Sequence, residues 1–123
     1  MSAPDLGAVS EVDFVEVNDL AHRRITYGRG EQTVVICHGF LDFAWSFARV
    51  AERIAAAGYR VVLHDFRGHG ESDWLTGGGY YHFPDYVHDL DRLVALLGDG
   101  PLHLVGHSMG GTVVSMLAGL RPK

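Results

Sequence analysis

Three short apolar runs, Thr33-Val34-Val35-Ile36-Cys37, Val61-Val62-Leu63 and Leu102 to Val105, constrain this chain more than any other feature. The first is continuous and the third is interrupted only by His103; such runs read as buried strands, and strands covered on both faces belong to parallel sheets with helices above and below. The intervening segments supply those helices. Phe43, Phe47, Val50, Ala51 and Ile54 fall at helical spacing, and Gly58 provides a C-terminal stop. Pro84 opens a second helix, with Asp85 set against its N-terminal dipole and Tyr86, Leu90, Leu93 and Leu97 on one face. Gly111 to Leu120 has the third helical pattern, ended by Arg121-Pro122-Lys123. Ahead of the first run, a polar lead from Ser2 to Ser10 precedes a β-rich segment at Val12, Phe14, Val15 and Val17. Asn18-Asp19 reads as a turn and His22 to Tyr27 as the returning strand. The order is hairpin, then strand-helix three times over. It predicts one α/β domain over 1–123, an antiparallel hairpin followed by parallel strands with covering helices and right-handed crossovers.

Charge and cysteine content narrow the partners. The formal charge is −5 and Lys and Arg do not cluster, so the chain lacks the basic face that a phosphate backbone requires, and nucleic acid is excluded as a partner. The single Cys37 has no intramolecular disulfide partner and sits in an apolar run, where a free thiol behaves as a small hydrophobe. Met1 to Phe14 carries no basic region followed by an apolar stretch, and no run approaches the length of a membrane span. These features predict a cytoplasmic protein without a membrane partner.

The chemistry concentrates at Gly106-His107-Ser108-Met109-Gly110-Gly111, between an apolar strand and an apolar helix. A serine lifted on so tight a strand-to-helix turn needs small residues two positions either side, because Cβ atoms there would collide with the turn. Gly106 and Gly110 meet that need, and Gly111 is expected to let the helix approach the strand closely. The turn aims the first helical N–H groups and the positive end of the helix dipole at the space beside Ser108, so the Met109 amide is a candidate oxyanion donor. The loop after the first buried strand, His38-Gly39-Phe40, offers a second, the Phe40 amide rather than its ring. One such donor is worth about 3 kcal/mol of transition-state stabilisation in enzymes of this type.

Three motifs stand in order after three strands: His38-Gly39-Phe40, then Asp65-Phe66-Arg67-Gly68-His69-Gly70-Glu71-Ser72, then Gly106-His107-Ser108-Met109-Gly110-Gly111. In this conjunction the chain resembles the N-terminal half of a serine-type α/β-hydrolase fold protein. The resemblance implies a small-molecule acyl substrate (carboxylic ester, thioester, amide or related), an acyl-serine intermediate on Ser108, and no cofactor. Relatives acting as haloalkane dehalogenases or epoxide hydrolases carry an aspartate at this turn, so Ser108 disfavours those chemistries; cofactor-free haloperoxidase-like relatives also use serine.

The triad of this fold runs nucleophile, acid, histidine along the chain. All eight histidines here precede Ser108, and Met109 to Lys123 contains no Asp, Glu or His, so neither the triad acid nor its histidine is in this chain. The resemblance therefore predicts an incomplete domain, lacking the lid and C-terminal catalytic loops, with little activity alone because triad members act as a unit. It also predicts an unpaired edge at Leu102 to Val105 that promotes self-association or pairing with a complementary C-terminal chain. The rival from another class is a non-catalytic binding or interaction module that keeps the turn without the base.

Plainer roles compete for several residues. Ser108 could serve only as a helix N-cap. His107 adjoins the nucleophile, but neighbours on a tight turn diverge, which favours packing; His38 is read as structural. His64, Asp65 and His69 lack a paired ligand set at recognised spacing, so no metal is expected and a loop braced by Asp65 and Arg67 is favoured. The stretch Gly77 to Phe83 is expected to pack down as a hydrophobic anchor. A dinucleotide site is disfavoured, since Ser108 stands where a pyrophosphate turn needs its middle glycine.

Overall fold

A two-residue turn that few side chains tolerate closes the N-terminal hairpin. Asn18 and Asp19 both adopt positive φ, 50° and 65°, the conformation a tight hairpin turn requires and one that Asn and Asp accept more readily than other residues. The computed structural model describes residues 9–76 and 79–121. The lead up to residue 8, Gly77 and Gly78 of the aromatic stretch, and the terminal Pro122-Lys123 lie outside the described residues.

Strands β1 (Val9–Val17) and β2 (Leu20–Tyr27) pair antiparallel from Val17 opposite Leu20 outward, with one irregularity between Val9 and Glu11. Val9 and Ser10, expected in the polar lead, thus belong to the strand. There follow β3 (Thr33–Cys37), α1 (Ala48–Ala56), β4 (Arg60–His64), α2 (Phe83–Ala95), β5 (Leu102–Gly106) and α3 (Met109–Leu120). The sheet order is β1-β2-β4-β3-β5. β3 lies between β4 and β5 and is parallel to both, while β2 joins the hairpin to β4 antiparallel. The sheet is mixed, with its parallel strands at one side, as expected of an α/β layer fold.

Alternation along the strands divides the core in two, because successive side chains point to opposite faces. Val34, Ile36, Val61 and Leu63 pack with Ile25 and Tyr27 against Ala44, Ala48 and Ala51 of the α1 region. Val35, Cys37 and Val62 face the other way, onto Tyr86, Val87, Leu90 and Leu93 of α2 and Val113, Val114 and Leu117 of α3. Burial of the three α3 side chains alone is worth about 6 kcal/mol. Cys37 is fully buried, and desolvation pushes its thiol up to about 12, so it is inert packing.

Two expectations need correction. The first covering helix does not run from Phe43 with Val50 inward: residues Ala44–Phe47 form a 3-10 turn, the helix proper starts at Ala48, and Val50 is 48% exposed. Residues 44, 48, 51 and 55 make a helical face offset by one residue from the larger apolar residues, and the alanines win because they let the helix lie close to the sheet. The third run is also not covered on both faces. Among the described residues β5 is an edge strand, with Val105 and His103 exposed.

Buried charge ties the loops to this frame. Arg67 donates from Nε and Nη2 to both carboxylate oxygens of Asp89 on α2, and Asn18 at the hairpin turn donates to the same carboxylate at 2.8 Å. The Asp65 carboxylate accepts from Ala44 N–H at 2.7 Å, Glu71 N–H at 3.0 Å and Arg23 Nε at 3.1 Å. The loop is thus braced by Asp65 and Arg67, as expected. A Cβ at Gly70 would lie 2.3 Å from the Asp65 carboxyl carbon, which is why glycine is needed there. The aromatic stretch does not pack down as the anchor expected: Tyr80, Tyr81 and Phe83 are all exposed, Tyr80 to 77%, although the Tyr81 ring lies over Gly68 and stacks at 6.4 Å on Tyr86.

Beneath these loops lie buried histidines. His64 is fully buried, stacks at 6.0 Å on His22 and meets Phe66 edge-on at 4.7 Å, and among the described residues neither of its ring nitrogens has a hydrogen-bond partner. Burial, reinforced by His22 and His38, holds the His64 pKa well below its ordinary 6.5. Burial also lowers His22, against the attraction of Asp89, which itself is engaged with Arg67. With folded pKa values below the unfolded ones, this stabilisation is complete above about pH 6.5 and is lost as pH falls through the folded values, at about 1.4 kcal/mol per pH unit for each histidine. Urea unfolding at pH 7 and pH 5 is expected to show this loss, and His64→Phe to reduce its slope by one proton; an unchanged slope in the variant would refute the assignment to His64.

Candidate active site

Ser108 sits at the tip of the β5–α3 turn with φ 56° and ψ −118°, a backbone conformation that costs a non-glycine residue about 1–3 kcal/mol. Its side chain is exposed and makes no capping hydrogen bond to α3, although Ser108 O accepts the Thr112 N–H at 3.2 Å. An N-cap serving α3 through its hydroxyl is therefore not what this geometry holds.

The strain is maintained by backbone packing in which side chains have no room. A Cβ at Gly106 would fall 2.4 Å from the Gly110 carbonyl oxygen, and one at Gly110 would fall 2.2 Å from the Cys37 carbonyl oxygen. His107 N–H donates to that same Cys37 oxygen at 3.0 Å. The N-terminus of α3 is thus pressed onto the end of β3. At Gly111, by contrast, a Cβ would meet nothing closer than Gly106 O at 3.4 Å, ordinary contact. The close approach credited to Gly111 belongs to Gly110.

This contact brings the loop after β3 to the serine. A Cβ at Gly39 would lie 3.1 Å from Ser108 Cβ, so the loop runs directly alongside the turn. Phe40 follows with its ring 65% exposed and edge-on to His69 at 5.8 Å. Leu41, 81% exposed, takes φ 64°, a second strained residue that no sequence pattern marked. Asp42 ends the loop by accepting from Phe43 N–H at 2.9 Å and from the Ser46 hydroxyl. Met109, the other candidate oxyanion residue, is the first residue of α3 and is buried. Ser108, Met109 and the Gly39–Phe40 peptide are accordingly neighbours.

The histidines divide as follows. His107 packs with its ring tilted against Phe47 at 6.1 Å. His38 is buried, and burial lowers its pKa from 6.5 despite its bond to Gly39 O. His69 Nδ1 lies 2.9 Å from Arg67 O. His64, Asp65 and His69 face different partners, and among the described residues no group of three or more metal-ligating side chains converges. Asp89 was missed as part of the support for this region, although it stands between Tyr86 and Leu93 at helical spacing. A carboxylate on an apolar helix face needs a buried cation, which is the signal that could have marked it; the cation, Arg67, comes from the loop after β4.

The family model for the alpha/beta hydrolase fold matches residues 32–123, the span from β3 through the turn and α3. This chain belongs to that family. A serine hydrolase-like protein of Danio rerio is 36% identical over 98 residues, covering 79% of this chain and 30% of that protein. Among solved structures, the epoxide hydrolase VrEH1 from Vigna radiata superposes with a TM-score of 0.88 at 30% identity over 96% of this chain and 38% of its own. A thioesterase domain from the curacin biosynthetic pathway gives 0.88 at 36% identity, over 95% of this chain and 41% of its own. The chain spans well under half the length of these relatives.

The backbone contacts predict opposite outcomes at adjacent glycines. Gly110→Ala, forced against Cys37 O, is expected to cost about 3 kcal/mol or more in urea unfolding. Gly111→Ala has space and gains helix propensity, so its effect is expected within about 1 kcal/mol of zero or stabilising. Equal losses would show that the elbow does not depend on the Gly110 approach.

Proposed function

We propose that the protein is a serine hydrolase acting on a small-molecule carboxylic ester, thioester or related acyl substrate, with Ser108 as nucleophile and the Phe40 and Met109 amides as oxyanion donors. One observation carries this proposal: Ser108 is exposed on a strained turn, free of any capping bond, beside the Gly39–Phe40 loop and at the N-terminus of α3.

In the proposed reaction, Ser108 Oγ attacks the acyl carbon while its proton passes to a base, and the carbonyl electron pair moves onto oxygen, where the two amides hold it. Collapse of the tetrahedral intermediate breaks the bond to the leaving group, which takes the proton. Water then attacks the acyl-serine by the same steps, releasing the carboxylic acid and restoring the serine. Several relatives are named for hydrolysis, among them the monoacylglycerol lipase of Mycolicibacterium smegmatis at 39% identity over 88 residues. Epoxide hydrolases also stand among them; a hydroxyl in place of a carboxylate at position 108 favours acyl transfer for this chain.

No helix among the described residues is long and apolar enough to cross a membrane. We keep a cytoplasmic setting as part of the proposal on the ground that Cys37, the one cysteine of the sequence, has no disulfide partner within it. Among the described residues β5 has a neighbouring strand on one side only, which supports self-association or a complementary C-terminal chain. A single monomeric size-exclusion peak with cooperative unfolding would overturn that last part.

The decisive measurement is labelling of the native gene product with a fluorophosphonate probe. Wild type is expected to label at Ser108 and Ser108→Ala to lose the label entirely; equal labelling of the two defeats the assignment. A wild type that never labels would favour the non-catalytic module.

A further inference from the structure

The Gly39–Phe40 peptide is held from its carbonyl side. A trans peptide is planar and points its C=O and the following N–H in opposite directions, so whatever fixes the Gly39 oxygen also fixes the direction of the Phe40 N–H. No peptide among the described residues is cis. Two groups reach that oxygen: Asp42 N–H at 3.1 Å and His38 Nδ1 at 2.7 Å. On the other side of the imidazole, Phe66 N–H donates to Nε2 at 3.0 Å. A backbone amide only donates, so Nε2 is bare, and a neutral imidazole then carries its proton on Nδ1. The Phe66 amide, in the loop after β4, thereby selects the tautomer that can donate to Gly39 O.

The ring has little freedom to do anything else. It is 1% exposed, edge-on to Phe66 at 4.9 Å and tilted against His69 at 5.0 Å. Protonation would set an N–H against the Phe66 N–H, and burial disfavours that charged form.

We propose that His38 is a positioning residue for acyl transfer: it clamps the Gly39 carbonyl so that the Phe40 amide is aimed at the oxyanion beside Ser108, and the Phe66 amide keeps it in the tautomer that does so. The proposal rests on the assignment of Ser108 and the Phe40 amide given above. A ring that only filled space would be replaceable by another ring. A ring acting through Nδ1–H is replaceable instead by a side chain presenting N–H at the same place.

His38→Phe conserves the aromatic volume and removes both hydrogen bonds, whereas His38→Asn overlays its Nδ2–H on the Nδ1–H. The experiment is fluorophosphonate phosphonylation of Ser108 in the native gene product, resolved into probe affinity and maximal rate. The expected result is a roughly tenfold to hundredfold slower maximal rate in His38→Phe with affinity held within about twofold, and recovery of most of the loss in His38→Asn. The ring-nitrogen NMR spectrum of the wild type at neutral pH is expected to show His38 protonated at Nδ1 and bare at Nε2. If His38→Phe does not fold, the spectrum and the Asn variant decide. A wild-type rate in His38→Phe, equal losses in both variants, or a ring protonated at Nε2 would overturn the proposal while Ser108 labelling stands. Absence of labelling in the wild type would instead remove the nucleophile assignment, and this proposal with it.

Discussion

The bare backbone contact between the start of α3 and the end of β3 is the constraint on which the remaining geometry depends. Any side chain atom at Gly110 would overlap the Cys37 carbonyl oxygen, and any at Gly106 would overlap Gly110. Because two backbones touch there, the helix N-terminus reaches Ser108 without an intervening layer of side chains, and the loop leaving β3 passes within contact of the serine. The unfavourable φ of Ser108 is a local cost of about 1–3 kcal/mol, and it is sustained by what α3 buries further along, chiefly Val113, Val114 and Leu117. Strain at the tip and apolar burial along the helix are two ends of one element.

Loops bent this tightly expose backbone amides that must find acceptors, and buried carboxylates supply them. Asp65 serves Ala44, Glu71 and Arg23 at once, so one side chain joins the 3-10 turn, the loop after β4 and the hairpin. Asp89 does the same for Arg67 and Asn18. Such pairs add little net stability over apolar replacements, but removing one partner strands the other charge at a cost of about 3–5 kcal/mol. Their consequence is therefore specificity of loop conformation. The turn at Ala44 is pinned by Asp65 of the loop after β4, and that loop and the hairpin turn are pinned in their turn by Asp89 of α2.

Much of this arrangement was legible in the residues because it follows from local rules. Unbroken apolar runs gave β3 and β4, Asn18-Asp19 gave the hairpin turn, Pro84 gave the start of α2, and glycines flanking Ser108 gave the elbow. What escaped the sequence depended on which tertiary neighbour was present. Two overlapping helical faces, one of alanines and one running from Phe43 to Ile54, compete in the first helix, and the proximity of the sheet puts the alanines innermost. Likewise Leu102, Leu104 and Val105 make β5 read as a buried strand, and the exposure of Val105 reflects its place at the edge. The inward turn of Asp89 needed Arg67 from a distant loop. The left-handed Leu41 followed no residue preference, since leucine is poorly suited to that backbone.

On the proposed assignment, presenting a nucleophile and moving its proton are physically separable tasks. Presentation depends on backbone geometry, and every group invoked for it, from the elbow glycines to the His38 clamp, lies between β3 and α3. Proton transfer depends on a side chain whose pKa lies near the working pH and which reaches Ser108. The buried histidines His22, His38 and His64 are unsuited to that work, because desolvation holds them neutral and His38 has both nitrogens committed. His107 is turned against Phe47. An oxyanion site alone still retains a residual acceleration of about a thousandfold over water in enzymes stripped of their triads. The geometry of this chain accordingly belongs to the stabilising half of the reaction, and the rate at which Ser108 reacts is governed by whichever base is brought to it.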